Sequence, residues 1–428
     1  MRLITRLFIA LAALGTTLAG ATPARAQQRD LESYLPQARR LMKRWPFIDS
    51  HNDLPEMVAV RASGDLSKFD PNTSLPSIDT DIPRLRRGGV GAQFWAAYVP
   101  SGYEGRGAAR RATEQIDIIK RMIDRSAALR FATTADEIER IHGSGRIASL
   151  IGIEGGHAIE SSLGLLRQYH ALGVRYMTLT HGSTIAWADA STDSARHGGL
   201  TRFGEEVVRE MNRLGMMVDI SHVSDGTMSD VARVSEAPLF FSHSSARAIA
   251  DHPRNVPDSV LALVKRKGGV VMINAYPAFV TNEAAQKMKN VFEVERALRT
   301  KYPNDQRRQD SAFIAYINGP DIPRGTLAQY VDHIDHVVKV AGVEHVGIGA
   351  DMGSIAIHPD GLEDVSRFPY VVAELLRRGY GEQQLRLIMG GNLLRTMRET
   401  ERVARRLQRS RHPSAATIAA LDSTKTVP

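Results

Sequence analysis

Residues 46–53 read Pro46-Phe47-Ile48-Asp49-Ser50-His51-Asn52-Asp53. A short apolar run leads directly into a group of side chains able to ligate metal or move protons. Strands of a parallel sheet are buried on both faces, so they read as continuous apolar runs rather than as alternating ones. Seven more such runs follow: Gly91 to Ala97, Arg146 to Ile153, Arg175 to Thr180, Met216 to Ser221, Pro238 to Ser242, Gly269 to Asn274, and His345 to Ala350. Longer segments with helix-like spacing separate them, which is the alternation of a parallel sheet with crossover helices. Eight strands of this kind predict an α/β fold, a single (β/α)8 TIM-like barrel.

The intervals support that reading. Leu200 to Leu214 carries apolar residues at helical periods, and Gly215 stands where a helix stops. Val256 to Lys267 predicts another helix, with Pro257 and Asp258 in its first turn and Gly268-Gly269 at its end. One interval is too long for a crossover. From about residue 282 to 324 the chain is charged and partly helical, then loops through Asn318-Gly319-Pro320. It predicts an insertion near the seventh strand, read equally as a lid over a site or as a peripheral decoration or dimer contact. A helical tail follows the last strand.

Polar residues fall at the ends of the apolar runs. The first runs into His51-Asn52-Asp53, the third ends at Glu154, the fourth at His181, the fifth at His222, the sixth at His243 and the eighth at Asp351. All C-terminal strand ends of a (β/α)8 barrel converge on one face, so six strands deliver His or carboxylate groups to one mouth. In an extended segment His51 and Asp53 point to the same side and can share one ion. Glu154 has two oxygens and can bridge to a second ion, which His222 and His243 complete. Nitrogen and oxygen donors with open positions suit catalytic zinc, and cobalt or manganese also fit. An isolated His at a strand end is more often a hydrogen-bonded structural residue. That reading goes to His142, His170, His197, His252, His333, His336, His345 and His358.

Composition narrows the classes. The 428 residues are 43% apolar, enough for one large core, and contain no cysteine, so disulfides and thiolate metal sites are excluded. Arg2 and Arg6 precede an apolar stretch, Leu7 to Leu18, and an A-x-A site at Ala24-Arg25-Ala26. This predicts a signal peptide over residues 1–26 and an exported, periplasmic or secreted protein with no membrane anchor. The formal charge is +8, and removing Arg2, Arg6 and Arg25 leaves +5, since no acidic residue leaves with them. Arg-rich stretches such as Arg398 to Arg411 read as solvated helix faces, and no nucleic-acid partner is expected.

These motifs, taken in order, resemble the membrane (renal) dipeptidase family, dinuclear zinc peptidases of the amidohydrolase superfamily. The resemblance runs from about Phe47 to Glu401. It rests on Asp49-Ser50-His51-Asn52-Asp53-Leu54-Pro55, Gly152-Ile153-Glu154-Gly155-Gly156-His157, Leu179-Thr180-His181, Trp187-Ala188-Asp189, Asp219-Ile220-Ser221-His222-Val223-Ser224 and Phe241-Ser242-His243-Ser244-Ser245. Arg254-Asn255-Val256-Pro257-Asp258, Gly361-Leu362-Glu363-Asp364 and Gly391-Asn392-Leu393-Leu394-Arg395 complete it. The resemblance implies a dipeptidase with two zinc ions per chain, acting on a small peptide through a hydroxide that bridges them. It implies that His181 stabilises the oxyanion and that Asp351 carries the proton to the leaving amine. It implies that Arg254 fixes the substrate carboxylate, whereas without the family Arg254 reads as a surface ion pair. Tyr276, beside Asn274-Ala275, is a further candidate for the pocket wall, and family members are often homodimers.

The chain departs from the family pattern in two places. Gly353 stands where the family usually has a second acidic residue after the catalytic Asp. Gly182-Ser183-Thr184-Ile185-Ala186 follows His181, where Asn and Pro are more usual. These departures bear on substrate preference and keep open a related amidohydrolase acting on N-acyl amino acids, lactones or esters. A non-catalytic binding protein on the same barrel would be marked by loss of a ligand or of Asp351, and all are present.

Overall fold

The eight apolar runs form eight parallel strands that close into a barrel. The structure, a computed structural model, describes residues 23–319, 321–354 and 357–423. In chain order the strands are β1 (Phe47–Asp49), β2 (Val90–Tyr98), β3 (Leu129–Phe131), β4 (Ile147–Glu154), β5 (Val174–Thr178), β6 (Met217–Asp219), β7 (Phe240–Phe241), β8 (Val270–Ile273) and β9 (Val346–Ile348). They are ordered β2-β1-β9-β8-β7-β6-β5-β4, and pairing of β2 with β4 closes the ring. The ninth strand, β3, lies outside it. It pairs with Ile147–Ser149 of β4, the part of that edge below Ile151, where β5 begins to pair.

Side chains fill the barrel. Ile48, Phe94, Leu150, Tyr176, Phe240 and Met272 are all buried in one interior cluster. Tyr176 is opposite Gly152 in the β4–β5 register, and a Cβ on Gly152 would overlap the Tyr176 ring. Glycine at that position lets the ring reach across to β1.

The helices follow the sequence with small shifts. Arg202–Leu214 is capped by the Thr201 side chain, which accepts from the Gly204 N–H, and ends at Gly215 in the left-handed region (φ 85°). The helix predicted from Val256 begins at Asp258 instead. Val256 is held extended, its N–H donating 2.8 Å to the Ser245 carbonyl, and Pro257 becomes the N-cap. Residues 282–317 form three helices, Asn282–Lys287, Val291–Lys301 and Gln306–Ile317. Phe292 of the middle helix meets the His181 and His222 rings edge-on, at 5.5 and 6.0 Å, so this segment covers the C-terminal mouth of the barrel.

The predicted leader lies outside the described residues up to position 22, and the helix Pro23–Arg44 begins there. Among the described residues no helix is long and apolar enough to cross a membrane.

Candidate metal centre

The six polar strand ends meet. Glu154 is the last residue of β4, and its two carboxylate oxygens face different partners. Oε2 lies 3.4 Å from His51 Nε2, while Oε1 lies 3.0 Å from His222 Nε2 and 3.3 Å from His243 Nε2. Asp53 Oδ1 and Asp351 Oδ1 are each 3.6 Å from His51 Nε2. Ligand atoms around a tetrahedral zinc are roughly 3.3 Å apart, so donors at these spacings fit a shared ion. Three overlapping sets qualify: His51–Asp53–Glu154, Glu154–His222–His243 and His51–His243–Asp351.

The donor atoms also test the fit. His51 Nε2 and Asp53 Oδ1 are buried and have no hydrogen-bond partner among the described residues. Left so, each would forfeit the solvation it had in water. The far sides of two imidazoles are fixed. Tyr176 Oη donates to the Ser50 carbonyl at 3.2 Å, so its oxygen accepts from His51 Nδ1 at 2.8 Å. Ser242 Oγ donates to Asp219 Oδ2 at 2.5 Å and accepts from His243 Nδ1 at 2.6 Å. When neutral, both rings therefore present Nε2 as a lone pair, the tautomer that binds metal. Burial, with the nearby Arg254 charge, pushes the His222 imidazole well below its ordinary range. Burial does the same to His243, with Arg254 adding to it. These residues fit a metal.

The other predicted residues are placed as follows. His181 sits at the rim, its Nε2 3.9 Å from Glu154 Oε1 and its ring 4.4 Å from that of His222. Asp351 lies just past β9 in the left-handed region (φ 61°) and accepts from Asn274 Nδ2 at 2.8 Å. Burial raises its carboxyl above the ordinary range, and the neighbouring Asp53 and Glu154 carboxylates add to this. Tyr276 is on the cavity wall, and its hydroxyl donates to the Ile317 carbonyl at the end of the inserted helices. Arg254 is no surface residue: it is 1% exposed, because the chain folds it behind His243. Its Nη2 donates to the His243 carbonyl and its Nη1 to Ser244 Oγ, and Phe279 covers it at 5.1 Å. Phe279 is on the cavity wall and Arg254 behind it. Gly353 has φ 115°, and a Cβ there would overlap the Asp53–Leu54 backbone, so an acidic residue does not fit this conformation.

Sequence reasoning missed the residues that orient the cluster. Tyr176, Asp219, Ser242 and Asn274 lie within or just after apolar runs, where nothing marks them as functional. It also missed the outer wall. Tyr98, Phe292 and Glu295 line a cavity of about 110 Å³ above the cluster.

A closed parallel barrel, with a buried His–carboxylate cluster at its C-terminal mouth, defines a metal-dependent hydrolase. The membrane dipeptidase family (peptidase family M19) matches residues 35–411. The chain is similar to Dipeptidase 3 of Rattus norvegicus, 39% identical over 372 residues, 86% of this chain and 67% of that protein. It is similar to Dipeptidase 3 of Macaca fascicularis, 39% identical over 399 residues, 92% of this chain and 72% of that one. Its fold is similar to that of the probable dipeptidase PvdM from Pseudomonas aeruginosa, with a TM-score of 0.74 and 25% identity over 87% of this chain and all of the other. The chain belongs to the membrane dipeptidase family, and its reaction is metal-dependent hydrolysis of dipeptides.

Proposed function

We propose that His51 and Asp53 hold one divalent ion and His222 and His243 a second, with Glu154 shared between them. The division of the Glu154 oxygens, one toward His51 and one toward the His222–His243 pair, carries this reading. All-nitrogen-and-oxygen donors favour zinc at both positions. When bound, such a pair makes water acidic enough to serve as nucleophile near neutral pH and polarises the scissile carbonyl.

The protein groups do the rest. Asp351 takes the proton of the attacking water and hands it to the leaving amine, held for the transfer by Asn274 Nδ2. Burial keeps the His181 imidazole neutral, well below its ordinary range, so it meets the developing oxyanion as a hydrogen-bond donor. Arg254 is a buried cation with no carboxylate within ion-pair distance among the described residues, and its Nε has no partner. A substrate carboxylate satisfies it once the Phe279 ring turns aside. Tyr276 closes that side of the pocket. The charged and apolar pattern of residues 1–26 supports export with cleavage after Ala26, ahead of the barrel domain.

The test is metal analysis of the purified protein together with a panel of dipeptides, tripeptides and N-acetyl amino acids. Two ions per chain and selective cleavage of dipeptides are expected. Equal cleavage of tripeptides, or activity on acylated amino acids alone, overturns the assignment of Arg254 and the pocket.

A further inference from the structure

Three acidic side chains line the cavity beyond the metal cluster: Glu56, Glu295 and Asp310. Two have partners. Glu56 takes Arg111 at 2.5 Å and also Gln115, and Asp310 accepts from Gln306 at 2.6 Å. Glu295 differs. It is 7% exposed, and its Oε2 is buried with no hydrogen-bond partner among the described residues. The neighbouring cations make no ion pair with it, although Arg299 lines the same cavity. Arg296 donates to the Gly182 and Thr192 carbonyls and faces Asp193, and Arg299 donates to Ser183 Oγ. Burial pushes the Glu295 carboxyl up to about 7, with Arg299 and Arg296 opposing. Such a group is stabilised by any cation that enters beside it.

We propose that Glu295 selects a cationic side chain, of the lysine or arginine kind, on the N-terminal residue of the dipeptide. This rests on the dipeptidase reading and deepens it. Phe292 stands against His181 and His222, and Glu295 follows it by three residues on the same helix face, one turn along. The α-ammonium of a dipeptide is one carbon from the scissile carbonyl, so it lies down among Asp53, Glu154 and Asp351. A cation that reaches Glu295 comes from a side chain. Val291, Leu298, Phe313 and Ile314 line the same cavity and suit the methylene stem of such a side chain. The end of the substrate is assigned from the separation of Glu295 and Arg254 around the mouth. Arg254, assigned to the carboxylate, stands against His243 after β7. Glu295 packs against Gly182 after β5, two strands further round the ring and beside His181 rather than beside Arg254.

The test compares kcat/KM of the metal-replete full-length protein on lysyl-glycine and on norleucyl-glycine, which matches the stem without the charge. Glycyl-lysine and glycyl-norleucine serve for the other end. Lysyl-glycine is expected to lead by about 10-fold or more, the effect of one charged hydrogen bond. In Glu295→Gln that ratio falls toward one, and no comparable advantage belongs to glycyl-lysine. A wild-type ratio near one overturns the inference, whether or not the variant folds. So does a ratio that Glu295→Gln leaves unchanged, or an advantage found only with glycyl-lysine. Failure to cleave any dipeptide overturns the underlying reading and this inference with it.

Discussion

Nε2 of His222 lies 3.0 Å from Nε2 of His243, and Glu154 Oε1 lies within 3.3 Å of both. Ser242 holds the His243 proton on Nδ1, so the Nε2 that faces His222 is a lone pair. Two imidazole nitrogens and a carboxylate oxygen gather here around one point, where a single cation would satisfy all three.

His222→Ala removes one corner of that arrangement. Metal analysis is expected to show one ion fewer per chain. Activity should fall by more than the ~10- to 100-fold typical when only an outer hydrogen-bond partner of a ligand is lost. A variant that keeps its full metal content would show that His222 is no ligand.

Tyr176→Phe tests the orientation of His51 without touching a donor atom. Loss of the hydroxyl leaves His51 Nδ1 without its 2.8 Å partner. The ring is then free to turn or change tautomer. Metal affinity, measured by competition with a chelator, is expected to fall roughly 10- to 100-fold while the fold is kept. Unchanged affinity would make Tyr176 only a filler of the barrel.

How much of this was legible follows from where each residue sits. The eight barrel strands were readable because both their faces are buried. β3 was not: it is three residues long, and Arg130 and Phe131 are exposed, so it has no apolar run to find. The candidate ligands stood out because they end apolar runs. Tyr176 was hidden, because an aromatic residue in a strand reads as core until its hydroxyl is seen against His51. Arg254 was legible only through the family, since nothing local distinguishes a buried arginine from a surface one. Glu295 lies three chain segments away from what it covers, and helical spacing does not reveal which surface a helix crosses.

Asp351→Asn separates proton transfer from metal binding. The amide keeps the size of the carboxylate and can still accept from Asn274 Nδ2. It cannot take a proton near neutral pH. Metal content is expected to be retained and kcat to fall by about 10²- to 10⁴-fold. Near-normal turnover would assign the proton to another group.

Acid should loosen the structure through His333, which makes no hydrogen bond to any proposed ligand. Its Nδ1 accepts from the Ala246 N–H at 3.0 Å and its Nε2–H donates to the Val280 carbonyl at 2.9 Å, so the neutral ring satisfies both neighbours. A second proton would set Nδ1–H against Ala246 N–H. Burial accordingly pushes the imidazole down to about 4, from an ordinary value of 6.5. As pH falls below 6.5 the unfolded chain takes the proton first. Stability from this group is therefore whole above pH 6.5 and declines until about pH 4, by about 3 kcal/mol in all. Urea unfolding of metal-free protein at pH 7 and at pH 4.5 measures it without interference from metal release. His333→Gln, whose amide can serve both neighbours without titrating, is expected to lose less stability between those two pH values than the wild type. An equal loss would place the acid sensitivity in the other buried histidines, His157 among them.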